Sequence, residues 1–272
     1  MEARLRENMR KFFFSNAAID RLIAEASTST LKDFDEFLCW ELENREDSRK
    51  ARYVKNASFP TMKNLCDFRF DELRMPESMT KEDMTDLKFI AEKHTLVFYG
   101  ICGSGKTMLS IALGIKACMQ GYKVKFITLS QLATRLLEAK ETGRIEKALG
   151  DFRALDLLII DEWGYCQLDK MSSELVFQVI ADSYEHKSLI LTTNLPFSEW
   201  GKIVADEQLA AAMIDRIVHF GHLIDTILRY KSVYGFIAIL WRIKGFKLIC
   251  KNLCSIKQLF LGLLFELHAL FF

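Results

Sequence analysis

Hydrophobic spacing along the chain changes character three times. Ala17 to Ala26 places apolar residues at Ile19, Leu22, Ile23 and Ala26, the spacing of one helical face. Thr30 offers an N-cap for a second helix, with Asp33 and Asp35 suited to a positive helix start. That helix continues through Phe34, Phe37, Leu38 and Leu42 towards Lys55. Residues 57–78 break the period and read as a polar and aromatic connector. From about Met79, short apolar runs alternate with helical segments. The runs are Thr95–Tyr99, Val124–Thr128, Leu155–Ile160, Ser188–Thr192 and His222–Asp225. Strands alternating with helices predict an α/β domain with a parallel five-stranded sheet flanked by helices. After Thr226 the pattern loses any clean period.

Composition sharpens that last boundary. The chain has 272 residues and a net charge of +1. The tail 227–272 holds seven basic residues and one acid, so residues 1–226 carry 30 basic against 35 acidic residues. Nucleic-acid binding therefore has to rest on a local patch. The seven cysteines are scattered without CxxC pairs, and the first residues do not read as a secretory signal. Free thiols in a cytoplasmic protein are expected. No run of 18 or more apolar residues occurs, which predicts no membrane span.

The chemistry concentrates after the first predicted strand. The octet Gly100, Ile101, Cys102, Gly103, Ser104, Gly105, Lys106, Thr107 fits G-x-x-x-x-G-K-[ST]. Its glycines let backbone N–H groups face phosphate oxygens. Lys106 can reach the β- and γ-phosphates, and Thr107 can ligate Mg²⁺. The loop follows the strand "TLVFY" and opens the helix "MLSIALGIKACM", the context such a loop requires. Asp161 and Glu162 end the apolar run "LDLLII", at the strand end that faces the ligand crevice of a parallel sheet. Asp161 is placed to hold Mg²⁺ and Glu162 to polarise an attacking water. Asn194 ends the next run and can orient water or the γ-phosphate. Arg216 reads either as an arginine finger acting on a neighbouring subunit or as a surface helix ion pair.

Arg45, Arg49 and Arg52 recur on one face of the second helix and Lys55 continues it. Such a stripe can neutralise DNA phosphates, but Glu41, Glu43, Glu46 and Asp47 lie among them, so a salt-bridged solvated helix is the other reading.

"NASFPTMKNLCDF", "LLIIDEWGY" and "SLILTTNLPFSEWGKIVADEQLAAAMIDR" together resemble the IstB-like ATPases, helper proteins of bacterial insertion sequences and relatives of DnaC-type helicase loaders. The resemblance runs from about Ser15 to Thr226, and the phrase "NLPFSEWG" is its most specific part. It implies an AAA+ core over 79–226 and a helical N-terminal domain over 1–56 that binds DNA. The connector would lie near adenine somewhere between Phe59 and Phe70. It further implies ATP and Mg²⁺ as ligands, duplex DNA and a transposase as partners, and a homo-oligomer. By position, Gly105, Lys106 and Thr107 serve phosphates and metal. Asp161 and Glu162 form the Walker B pair, Asn194 the first sensor, and Arg216 the arginine finger. A replicative helicase loader and a non-catalytic ATP-dependent DNA scaffold are the alternatives.

The tail departs from the family, which ends with a Ser-Tyr-Arg segment that is missing here. Three readings stay open: out-of-frame or read-through sequence, a membrane-associating tail, and a partner-binding extension. Cys250, Cys254 and His268 make a weak metal set.

Overall fold

In the computed structural model, residues 1–226 are described; the readings that concern the tail 227–272 lie outside them. Three helices come first: α1 (Glu2–Lys11), α2 (Asn16–Glu25) and α3 (Thr28–Ala57). Leu5, Met9, Ile19, Leu31 and Leu38 form an apolar cluster among them. Within it, Asp35 is buried and accepts hydrogen bonds from Arg4 and, at 3.0 Å, from Asn8 Nδ2. A buried carboxylate requires such partners. The N-cap of α3 is Ser27, three residues before the expected Thr30. Its Oγ accepts from the Thr30 N–H at 3.2 Å, so the hydroxyl-rich "STST" starts the helix earlier. The far end of α3 packs on the α/β core.

That core continues with β1 (Leu73–Arg74), α4 (Lys81–Thr85), α5 (Lys88–Ala91), β2 (Thr95–Tyr99), α6 (Lys106–Met119) and β3 (Val124–Thr128). It then runs through α7 (Leu129–Glu141), α8 (Ile145–Arg153), β4 (Leu157–Trp163), α9 (Lys170–Ala181), β5 (Ser188–Thr193), α10 (Glu207–His219) and β6 (Gly221–Thr226). Strand order is β1-β6-β2-β5-β4-β3. The five strands β2 to β6 are parallel, as the alternating pattern predicts. The connector adds a sixth, antiparallel edge strand, pairing Leu73 with Thr226 and Arg74 with Asp225. Two residues are too few to show a period of two, so this strand leaves no mark in the sequence.

Two apolar clusters cover the two faces of the sheet. One joins Leu96, Phe98 and Ile159 to α5, α6 and the end of α3; the other joins Val97, Leu158 and Ile160 to α7, α8, α9 and α10. Leu157, Leu158, Ile159 and Ile160 of β4 are fully buried, each contributing roughly 1.5–3 kcal/mol of burial free energy. This buried strand, paired on both sides by β5 and β3, fixes the position of whatever follows it.

Candidate nucleotide-binding site

The carboxyl ends of β2, β4 and β5 open on a cleft of about 310 Å³. Lys106, Thr107, Glu162, Tyr165, Thr192 and Asn194 line it, together with Cys102 to Gly105. Lys106, Glu162 and Asn194, drawn from three separate parts of the sequence, therefore meet in one volume.

The loop from Gly100 to Thr107 needs its glycines for two reasons. Gly105 has φ +86°, a conformation that L side chains rarely adopt, and a Cβ there would lie 2.9 Å from the ring of Phe68. Gly100 has φ +154°, and a Cβ there would meet Thr226 Oγ1 at 2.3 Å. The connector and the end of β6 are thus packed directly onto the loop. Ser104 Oγ and Thr226 Oγ1 are 2.6 Å apart, and Thr226 also donates to the Tyr99 carbonyl at 3.0 Å.

Lys106 donates to the Gly100 and Ile101 carbonyls, each at 2.7 Å. Partial burial lowers its pKa, opposed by the neighbouring Cys102 and Asp161. Thr107 Oγ1 donates to the two Asp161 carboxylate oxygens at 3.0 and 3.1 Å. A hydroxyl and a carboxylate held together are a donor set of hard oxygens that suits Mg²⁺. Asn194 Oδ1 is buried without a partner among the described residues. An unpaired buried acceptor is costly, so this side chain is held in an unsatisfied position at the cleft. The glycine cradle, the Lys106 amine and the Thr107–Asp161 oxygen pair fit a nucleoside triphosphate with its metal.

Beyond Asp161 the strand β4 is irregular. Ile160 pairs with Leu191 and Trp163 with Thr193, so Asp161 and Glu162 together oppose the single residue Thr192. This is a β-bulge. Asp161 is buried and Glu162 is exposed to the cleft. Glu162 sits at φ +62°, which for a non-glycine residue costs roughly 1–2 kcal/mol. Such strain clusters at functional sites.

Two cleft groups were not marked by sequence reasoning. Tyr165 Oη lies 2.8 Å from Cys102 Sγ, tying the phosphate loop to the turn after β4. That bond, with burial and the nearby acids, pushes the tyrosine pKa up to about 12. Thr192, the other, stands two residues before the expected Asn194. The phrase "NLPFSEWG" acquires a physical role: Trp200 packs against Trp163 with ring centroids 4.8 Å apart and planes tilted by 33°, and donates to the Leu195 carbonyl at 3.3 Å, bracing the end of β4.

Arg216 lies outside the cleft lining. Its Nη1 donates to the Ala212 carbonyl at 2.9 Å, and its guanidinium stands 4.9 Å from the Phe177 ring centroid. The stripe on α3 divides. Arg45 donates to Glu41 at 2.7 Å and covers the Phe12 ring at 4.4 Å, and Arg49 faces Glu46 at 3.9 Å. Arg52 and Lys55 are exposed and have no carboxylate partner among the described residues.

A parallel sheet with a glycine loop opening a helix after β2, and an acidic pair at the same sheet end on β4, one strand removed across β5, defines the P-loop nucleotide-binding class. Within that class the chain belongs to the IstB-like ATP binding protein family, whose model matches residues 11–229. It is 39% identical over 201 residues to the insertion sequence IS5376 putative ATP-binding protein of Geobacillus stearothermophilus, covering 72% of this chain and 80% of that one. It is 33% identical to the IS21 putative ATP-binding protein of Pseudomonas aeruginosa, covering 74% and 77%. Among solved structures, AMPPCP-bound DnaA from Aquifex aeolicus shares the fold, with TM-score 0.50, 19% identity, and coverage of 66% of this chain and 54% of that one. Among the described residues, no helix is long and apolar enough to cross a membrane.

Proposed function

We propose that this protein binds ATP with Mg²⁺ in the cleft, hydrolyses it, and works as a homo-oligomer on duplex DNA to recruit or stimulate a transposase. The convergence of Lys106, the Thr107–Asp161 pair, Glu162 and Asn194 on one cleft carries the catalytic part of this reading. The names of the insertion-sequence relatives support the transposition part.

In this reading the backbone N–H groups of Gly103 to Thr107 and the start of α6 bind the phosphates. Lys106 leaves its carbonyl partners for the β- and γ-phosphates. Thr107 and Asp161 hold Mg²⁺, which neutralises phosphate charge. Glu162 polarises the attacking water, and Asn194, lining the same cleft, orients that water or the γ-phosphate. Arg216, set apart from its own cleft, supplies charge to the site of a neighbouring subunit. The segment 1–56 forms the DNA-binding domain through Arg45, Arg49, Arg52 and Lys55.

Phosphate release with and without duplex DNA tests the reading. Release that rises with DNA and disappears in Lys106→Ala is the expected result. Turnover that survives Lys106→Ala places the chemistry elsewhere. Nucleotide binding without turnover, with or without DNA, overturns the hydrolytic part and favours an ATP-dependent scaffold.

A further inference from the structure

The bulge at the end of β4 poses a hydrogen-bonding problem. Asp161 and Glu162 share one opposing residue, so the backbone ladder cannot serve both in the usual way. The Thr192 side chain occupies that gap. Its Oγ1 accepts from the Glu162 N–H at 3.0 Å and donates to Asp161 Oδ1. One hydroxyl therefore holds the backbone of one acid and the carboxylate of the other. Thr192 itself is buried between neighbours of the sheet, and its oxygen has both roles filled.

We propose that Thr192 is the positioning residue of the acidic pair. Through the Glu162 N–H it maintains the left-handed backbone that turns Glu162 into the cleft. Through Asp161 it fixes one carboxylate oxygen, while Thr107 holds the carboxylate from the other side at 3.0 and 3.1 Å. Asp161 is thus aimed at the metal position from β5 as well as from α6. Only a β-hydroxyl on this strand can make both bonds. A valine fills the same volume and makes neither. The inference rests on the nucleotide reading above, but its metal-binding half does not require hydrolysis.

The test compares the parent with Thr192→Val and Thr192→Ser. Fluorescent ATP-analogue binding is titrated with and without Mg²⁺, and phosphate release is measured alongside. Removing an outer partner of a metal ligand typically costs about 10–100-fold. Thr192→Val is expected to raise the half-saturating Mg²⁺ concentration about tenfold and to lower turnover about tenfold or more. Metal-free nucleotide affinity should stay within about twofold, because the phosphate loop is untouched. Thr192→Ser should restore both properties, which a purely packing role would not produce. If Thr192→Val does not yield folded protein, Thr192→Cys, which matches the serine variant in shape but forms hydrogen bonds poorly, is judged by the same criteria. A valine or cysteine variant within about twofold of the parent in Mg²⁺ requirement and turnover overturns the proposal, as does a serine variant as impaired as valine. A parent that binds nucleotide without releasing phosphate fails the hydrolytic reading instead, and the Mg²⁺ titration then decides the role of Thr192 by itself.

Discussion

Two lysines of this domain look alike in isolation. Lys106 and Lys187 each donate to main-chain carbonyls, and burial lowers the pKa of each. They stand at opposite ends of the sheet. Lys187 lies just before β5, is 2% exposed, and its ammonium meets the Phe152 carbonyl in the last turn of α8. Lys106 is half-buried and borders the open cleft. The difference is in what surrounds the amine. Around Lys187 the space is closed. Beside Lys106 are a glycine backbone, two acids and a volume of about 310 Å³. A perturbed lysine therefore does not mark a site unless open volume and complementary groups accompany it.

The comparison breaks most readily at Lys106. Lys106→Ala is expected to weaken ATP binding by about a hundredfold or more, read by calorimetry, because several kcal/mol of charge-assisted phosphate contact is lost. Undiminished affinity would make Lys106 as structural as Lys187. Glu162→Gln separates binding from chemistry at the same cleft. Turnover should fall by about 10²-fold or more while ATP affinity changes by less than about threefold. Equal losses in both would mean that Glu162 holds the nucleotide and does not act on water.

Lys187 gives the complementary result. Burial is the largest cause of its lowered pKa, which falls from 10.5 to about 8, with Asp182 raising it and Arg153 lowering it further. Between those values the unfolded chain binds more protons than the folded one, so stability rises with pH through that window. The cost of the charged lysine is fully present below about pH 8 and amounts to about 3 kcal/mol. Lys187→Met removes this dependence. Urea unfolding at pH 7.5 and 10.5 should show the parent gaining stability relative to the variant as pH rises, with nucleotide affinity the same in both. A parent and variant with parallel pH profiles would mean that the Lys187 amine is not desolvated.

These contrasts also mark what could be read in advance. Thr95–Tyr99 and Val124–Thr128 are bounded to the residue by their runs of apolar and β-branched residues, because strands covered by helices favour such side chains. The loop Gly100 to Thr107, the acidic pair and Asn194 were legible because chemistry fixes both residue type and strand-end position. The bulge was not legible. Leu155–Ile160 marks most of β4, whereas the strand runs from Leu157 to Trp163 and its irregularity depends on the register with β5. Thr192 and the Cys102–Tyr165 contact likewise exist only once separate strands and loops are brought together. In the stripe on α3, spacing gave the common face of the four cations, but the partners of each depend on rotamers and on Phe12 from the preceding segment.

That stripe carries the smallest expected effect and applies the lesson of the lysines to DNA. Arg45 is engaged by Glu41 and Phe12, whereas Arg52 and Lys55 are exposed with no carboxylate partner among the described residues. A cation already paired has to give up that partner before it can neutralise a phosphate, so its net gain on DNA is smaller. On the proposed DNA-binding face, Arg52→Ala and Lys55→Ala should each reduce the slope of log affinity against log salt by about one. Arg45→Ala should change that slope by less. Anisotropy of a labelled duplex between about 50 and 200 mM salt measures it. An Arg45→Ala effect equal to that of Arg52→Ala would show that the Glu41 pair is too weak to matter. Unchanged slopes in all three variants would remove the DNA contact from α3, because a phosphate contact cannot be lost without releasing fewer counterions on binding.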